Sequence, residues 1–191
     1  MVPNGANWPG GSYDPETGLL YIYSHTLLRV LSLVNDPKRS DMNYVNDGGG
    51  GEAGGGSVTT VQGLPLVKPP WGRITAIDLN KGEIAWKVPL GEGSRYIRES
   101  PLLKGVALPE RLGSPNNKGG ALVTRGGLVF IGGGDGYLYA FDKKTGKEVW
   151  RGNVTYENTA NPMTYRTRSG KQFIVVATGA SADNALVAFG M

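Results

Sequence analysis

The sequence predicts an all-β chain, a partial β-propeller of about two complete four-stranded blades plus three strands of a third. Three observations predict it. An eleven-residue segment occurs twice, another shared segment lies upstream of each copy, and the composition suits short strands joined by tight turns. Glycine supplies 31 of the 191 residues and proline 12, and both build turns and interrupt helices.

Residues 76–86 read AIDLNKGEIAW and residues 140–150 read AFDKKTGKEVW, so Ala, Asp, Gly and Trp coincide at one offset of 64. Gly72 and Gly136 match upstream. Each copy reads as strand, turn, strand. Ile74 to Leu79 and Tyr137 to Phe141 alternate or run apolar, as half-buried strands do. Asp78 and Asp142 open the turn, because a carboxylate there accepts from N–H groups two residues on. Gly82 and Gly146 supply a positive-φ position that a β-carbon would oppose. The second strand ends on Trp86 or Trp150, a large flat side chain whose N–H needs an acceptor.

The segment Gly18 to Ile22 (GLLYI) matches Gly127 to Ile131 (GLVFI) at an offset of 109, which exceeds the first by 45 residues. The first unit therefore carries an insertion between its second and third strands. Its Gly/Pro-rich part, residues 35–70, contains GGGGEAGGG and LPLVKPP and is expected to be a flexible surface loop rather than a ligand lid. A third unit begins near Asn161: PMTYR, KQFIVVATG and NALVAF give three strands, and no G-x(3)-W strand follows. The count is about 11 strands in one domain, 1–191. Such tandem units are propeller blades, and a closed propeller removes open sheet edges. This number of blades cannot close alone, so missing chain, a partner or self-association is expected to cover the edges.

The composition excludes several chemistries. The absence of cysteine excludes disulfides, thiolate metal sites and covalent haem attachment. His25 is the single histidine, which rules out a site needing two imidazoles. No segment has the ~18 to 20 apolar residues of a membrane span, and no charged-then-apolar leader opens the chain, so an export signal is expected elsewhere. The net charge of +4 is spread thinly, without the basic stripe of a nucleic-acid binder.

The signature ending in Trp is similar to the tryptophan-docking motif of eight-bladed propellers that bind pyrroloquinoline quinone (PQQ). The strings ANWPGGSYDPETGLLYI (6–22), QGLPLVKPPWGRITAIDLNKGEIAW (62–86), GGLVFIGGGDGYLYAFDKKTGKEVW (126–150) and NPMTYRTRSGKQFIVVATG (161–179) make the resemblance more specific. Together they resemble the C-terminal part of PQQ-dependent (quinoprotein) sugar and alcohol dehydrogenases, nearest the membrane-type quinoprotein glucose dehydrogenase branch. The resemblance implies PQQ and a calcium ion on the propeller axis, oxidation of a hydroxyl with an Asp as base, and electrons passed to a quinone or cytochrome. It also implies a periplasmic location. The calcium ligands, the base and the Trp floor under PQQ would lie N-terminal to the matched region, so no catalytic or metal residue is carried onto this chain. One cofactor contact is: Asn7, beside Trp8, whose amide offers donors and an acceptor to a quinone. Without its flanks, Asn7 reads as a turn residue before a strand. Ile131 stands where some relatives place a Trp near PQQ.

Other residues have plainer readings. Asp78 and Asp142 sit in equivalent turns, and Trp86 and Trp150 read as packing between blades. Residues 132–136, GGGDG, lack the following helix of a phosphate cradle and read as a tight strand connection. His25 reads as a surface or packing residue. Lys68 and Arg73 read as solvated charges, with a role facing the tricarboxylate PQQ as the alternative. Asn153-Val154-Thr155 fits a glycosylation sequon that a bacterial source makes incidental. Two functions follow: a dehydrogenase segment that is inactive alone, its partners being the missing blades or a complementary subunit, or a non-catalytic PQQ-like scaffold in outer-membrane assembly. The second leaves NWPGGSYDP and GLPLVKPPWGRI unexplained.

Overall fold

The structure, a computed structural model, describes residues 2–3, 5–6, 10–29, 32–46, 60–115, 119–155, 160–179 and 184–190. The chain forms two compact units, residues 1–5 with 26–68 and residues 6–25 with 69–191. The smaller holds three pairs of two-residue strands: Val2–Pro3 with Leu28–Arg29, Leu33–Val34 with Val45–Asn46, and Thr60–Val61 with Leu64–Pro65. Much of the glycine-dense run, residues 47–59, lies outside the described residues.

The larger unit holds three unclosed antiparallel sheets. Strands β1 (Gly11–Asp14), β2 (Leu19–His25), β3 (Gly72–Asp78) and β4 (Glu83–Pro89) form the first. The second comprises β5 (Ala121–Val123), β6 (Leu128–Gly132), β7 (Tyr137–Asp142) and β8 (Glu148–Asn153). The third has β9 (Met163–Arg166), β10 (Gln172–Thr178) and β11 (Ala185–Gly190). Each sheet is ordered as the chain runs. The expected strands are all present, and β2 pairs with β3 across the insertion. Among the described residues helix is confined to two short pieces between the first two sheets, α1 (Arg95–Arg98) and a 3₁₀ turn at Pro101–Leu103.

The repeat is visible in the pairing. Leu19 faces Asp78 as Leu128 faces Asp142, and Trp86 faces Ala76 as Trp150 faces Ala140. Both copies carry an irregularity in register just before the Trp, at Ala85 and Val149. A bulge re-aims the side chains after it. Ile84 and Ala85 are exposed while Trp86 is buried, so the bulge turns the indole toward the neighbouring sheet.

The second sheet is the middle layer, and its side chains alternate between two cores as a pleat requires. Val129, Ile131, Tyr139 and Phe141 join Leu19, Tyr21, Tyr23, Ile74 and Trp86 of the first sheet. Phe130, Leu138 and Ala140 join Ile174 and Val176 of the third. Full burial of each large side chain is worth about 1.5–3 kcal/mol.

Candidate functional site

Three turns of the form Asp-x(3)-Gly organise one end of the first two sheets. In each, the carboxylate accepts from the chain two or three residues on. Asp78 accepts from the N–H groups of Asn80 at 3.0 Å and Lys81 at 3.3 Å, and Asp142 from those of Lys144 at 3.1 Å and Thr145 at 2.8 Å. Asp14 accepts from the Glu16 N–H at 3.1 Å and the Thr17 hydroxyl at 2.6 Å. Gly18, Gly82 and Gly146 all have φ of +71° and donate to the carbonyl of their Asp. Both repeated Asp residues are turn builders, as their spacing indicated.

Trp86 docks on the turn of the second sheet. Its Nε1–H donates to the Lys143 carbonyl at 3.1 Å, and the same oxygen accepts from the Tyr21 hydroxyl at 2.9 Å. Gly146 lies under the indole, where a β-carbon would come within 2.6 Å of the ring. The Lys143 side chain is buried and reaches Asp14 Oδ2 at 2.9 Å and Glu16 Oε2 at 3.5 Å. Burial pushes the Asp14 carboxyl up, but Thr17, Lys143 and the Glu16 N–H together hold it below its ordinary value. The hydrogen bond to Asp14 holds Lys143 above its own. Burial pushes the Tyr21 phenol up to about 12, so it stays a donor.

A second polar cluster ties the connection between the first two sheets onto the second sheet. Asp135 Oδ2 accepts from the Glu92 N–H at 2.7 Å and the Tyr139 hydroxyl at 2.9 Å. Glu92 is held by Arg111 and Arg151, and Arg111 Nη2 also donates to both Glu148 carboxylate oxygens at 2.9 and 2.8 Å. Burial, then the Asp135 charge, pushes the Tyr139 phenol strongly up. Asp135 Oδ1 is enclosed and has no hydrogen-bond partner among the described residues. A bare carboxylate oxygen suits a donor or a cation, not the carboxylates of PQQ. Sequence reading missed this cluster because its members lie up to 59 residues apart, and their charges alone do not say which pairs meet. The positive-φ glycines at 91, 93 and 113 were the available signal of close backbone approach.

The predicted cofactor contacts Asn7 and Trp8 lie outside the described residues. Ile131 is fully buried in the core between the first two sheets. The His25 ring meets the Tyr23 ring edge-on at 5.8 Å, a packing role. Arg73 is half-buried and donates to the Pro70 carbonyl at 3.2 Å, whereas Lys68 is exposed. Residues 132–136 connect β6 to β7, with Gly133 N–H donating to the Tyr137 carbonyl at 2.9 Å. Asn153 Oδ1 accepts from the Thr155 N–H at 2.7 Å. Among the described residues no three His, Asp or Glu side chains converge as metal ligands would. None of the described helices is long and apolar enough to cross a membrane.

Residues 2–174 match the PQQ family described as glucose/ethanol/alcohol dehydrogenase, beta-propeller domain. The glycerol dehydrogenase large subunit of Gluconobacter thailandicus is 34% identical over 197 residues, 92% of this chain and 26% of the relative. A probable quinate dehydrogenase (quinone) of Xanthomonas campestris pv. juglandis is 35% identical over 94% of this chain and 24% of its own length. The quinoprotein glucose dehydrogenase of Escherichia coli K12 is 36% identical over 61% of this chain and 14% of its length. The chain thus spans about a quarter or less of the curated relatives it matches. Among solved structures, the quinohemoprotein alcohol dehydrogenase of Comamonas testosteroni superposes with a TM-score of 0.59 at 25% identity, covering 92% of this chain and 22% of that one. The quinohemoprotein alcohol dehydrogenase of Pseudomonas putida HK5 gives 0.59 at 23% identity, covering 93% and 22%, which shows a shared fold.

Proposed function

The chain belongs to the PQQ-type glucose/ethanol/alcohol dehydrogenase β-propeller family, and from that premise we propose that it is the C-terminal segment of such a dehydrogenase. The complete enzyme oxidises a glucose-like sugar or an alcohol hydroxyl in the periplasm and passes the electrons to a quinone or cytochrome. Residues 1–191 are an incomplete propeller domain, with 35–70 as an insertion in its first blade. The family match over residues 2–174 carries the reading. The scaffold alternative shares the Trp docking but not the similarity to named dehydrogenases.

Bound PQQ supplies the two-electron oxidant for converting a hydroxyl to a carbonyl. This chain contributes its part of the wall around the cofactor. Asn7, next to Trp8 in the sequence, holds a quinone oxygen through its amide. The base and the calcium ligands come from the blades or subunit that complete the ring, so the chain alone is inactive.

Titration of the purified chain with PQQ and calcium, followed by absorbance, tests the reading together with a dye-linked assay on glucose and simple alcohols. The expected result is PQQ binding without turnover, weakened ~10-fold or more in Asn7→Ala, the cost of one hydrogen bond to a charged group. Unaltered binding in that variant sinks the assignment of Asn7. Turnover by the chain alone sinks the inactivity.

A further inference from the structure

The repeat gives the sheets similar docking surfaces, with an Asp-x(3)-Gly turn on one side and a Trp on the other. Apolar contact between them is non-directional and does not by itself tell one sheet from another. One residue breaks the likeness. Lys143 enters the first sheet with both its ends: its carbonyl takes the Trp86 and Tyr21 donors, and its ammonium takes Asp14 and Glu16. The position that matches it in the first sheet's turn is Leu79, 52% exposed. By the offset of 109 Asp14 matches Val123; the residues that open the corresponding hairpin turns of the second and third sheets are Thr124 and Thr167. They close their turns with the hydroxyl, which accepts from the N–H of Leu128 at 3.3 Å and of Lys171 at 3.1 Å. Neither offers a charge.

The pair is expensive. Both side chains are only 6% exposed, and two ions taken out of water regain that cost only in good geometry, so apolar residues often hold such an interface equally well. The best-attested return on a buried ion pair is registry. We propose that Lys143 and Asp14 form a registry key, which makes the turn of the second sheet dock on the first sheet and on no other. Against a sheet that opens the corresponding turn with Thr, the Lys143 ammonium is buried without a counter-charge, and that arrangement is rejected. Glu16 adds to the acidic side and is itself bound by Arg125 from the second sheet at 2.9 Å. Asp142 and Lys144 flank Lys143 along its own turn and offset each other.

The test replaces the key by the residues that the corresponding turns carry, Asp14→Thr with Lys143→Leu, singly and together, in the full chain. Two readings are taken: the thermal midpoint, and the indole N–H resonance of Trp86 in ¹⁵N-labelled protein, assigned through Trp86→Phe. Asp14→Thr alone leaves the buried ammonium with only the more distant Glu16 carboxylate and lowers the midpoint by roughly 5–10 °C. The double variant returns to within about 3 °C of the parent, yet its Trp86 resonance broadens or splits because more than one docking is populated. A single sharp Trp86 resonance in the double variant overturns the proposal. So does a midpoint loss equal to the sum of the single losses, since the two residues then act independently. If Asp14→Thr does not fold, Lys143→Arg decides against Lys143→Leu. Arg keeps one resonance and Leu splits it; identical spectra for the two overturn the key.

Discussion

Trp86 and Trp150 hold the same place in the repeated strand, which runs on past each instead of ending there as the sequence suggested; they follow the same bulge and differ in almost everything else. Trp86 is 9% exposed, donates to Lys143, lies on Gly146 and meets the Tyr21 ring at 5.7 Å. Trp150 is 38% exposed, and no acceptor meets its Nε1–H among the described residues. It folds over Gly152, where a β-carbon would come within 2.4 Å of its ring, and meets Phe189 edge-on at 5.0 Å. In the third sheet Phe189 and Gly190 stand where Phe141 and Asp142 stand in the second, so the described residues present no Asp-opened turn to Trp150. Around it lies an open apolar groove of about 520 Å³ lined by Phe130, Ile174 and Phe189. A motif supplies the side chain; the neighbouring turn decides what that side chain is worth.

The largest expected effect breaks this comparison outright. Trp86→Ala removes a buried ring and one of the two donors to the Lys143 carbonyl, and should cost about 3–5 kcal/mol. Trp150→Ala removes a half-covered ring and should cost about 1–2 kcal/mol. Urea unfolding of both variants measures the difference, and equal losses would show that docking adds nothing to burial.

A smaller effect comes from the glycines beneath. Gly82 and Gly146 share a φ of +71°, so Ala costs each about 1–2 kcal/mol of backbone strain. A β-carbon at Gly82 meets nothing within 4 Å, but at Gly146 it meets the Trp86 ring at 2.6 Å. Gly146→Ala should therefore exceed Gly82→Ala by about 1–3 kcal/mol. It should also red-shift tryptophan fluorescence, which Gly82→Ala should not.

The smallest effect is electrostatic. Thr145, through its hydroxyl and N–H, holds the Asp142 carboxyl below its ordinary value of 3.8, and Asp14 is likewise low against Lys143 and Thr17. A carboxyl lowered in the folded state stabilises above its unfolded value, and that stability is lost as pH falls through the folded one. Thermal midpoints should therefore drop below about pH 4. Asp142→Asn should make the drop shallower while leaving the neutral-pH midpoint within ~2–4 °C of the parent. An unchanged acid slope would remove Asp142 from the account.

Much of the architecture was legible in the residues. The offsets of 64 and 109 placed the turns and the strands, because turn chemistry and strand alternation are local. The bulges at Ala85 and Val149 were not legible, since an extra residue in a strand shows only against its partner. Nor was the cluster of Glu92, Arg111, Asp135 and Glu148, or the first sheet's own Asp14 turn as the seat of a buried ion pair. Asn7 and Trp8 were read through the resemblance, and the described residues neither add to that reading nor remove from it.

The sequence by itself determined an all-β chain of repeated sheets and the family they belong to, because spacing of Asp, Gly and Trp is a property of the chain. Only the tertiary structure decided which of two identical tryptophans is docked, and that Lys143, unmarked among twenty basic residues, holds two sheets at once. The reason is physical. A turn is built by neighbours in sequence, whereas the worth of a ring or a charge depends on what removes it from water, and those atoms come from elsewhere in the chain.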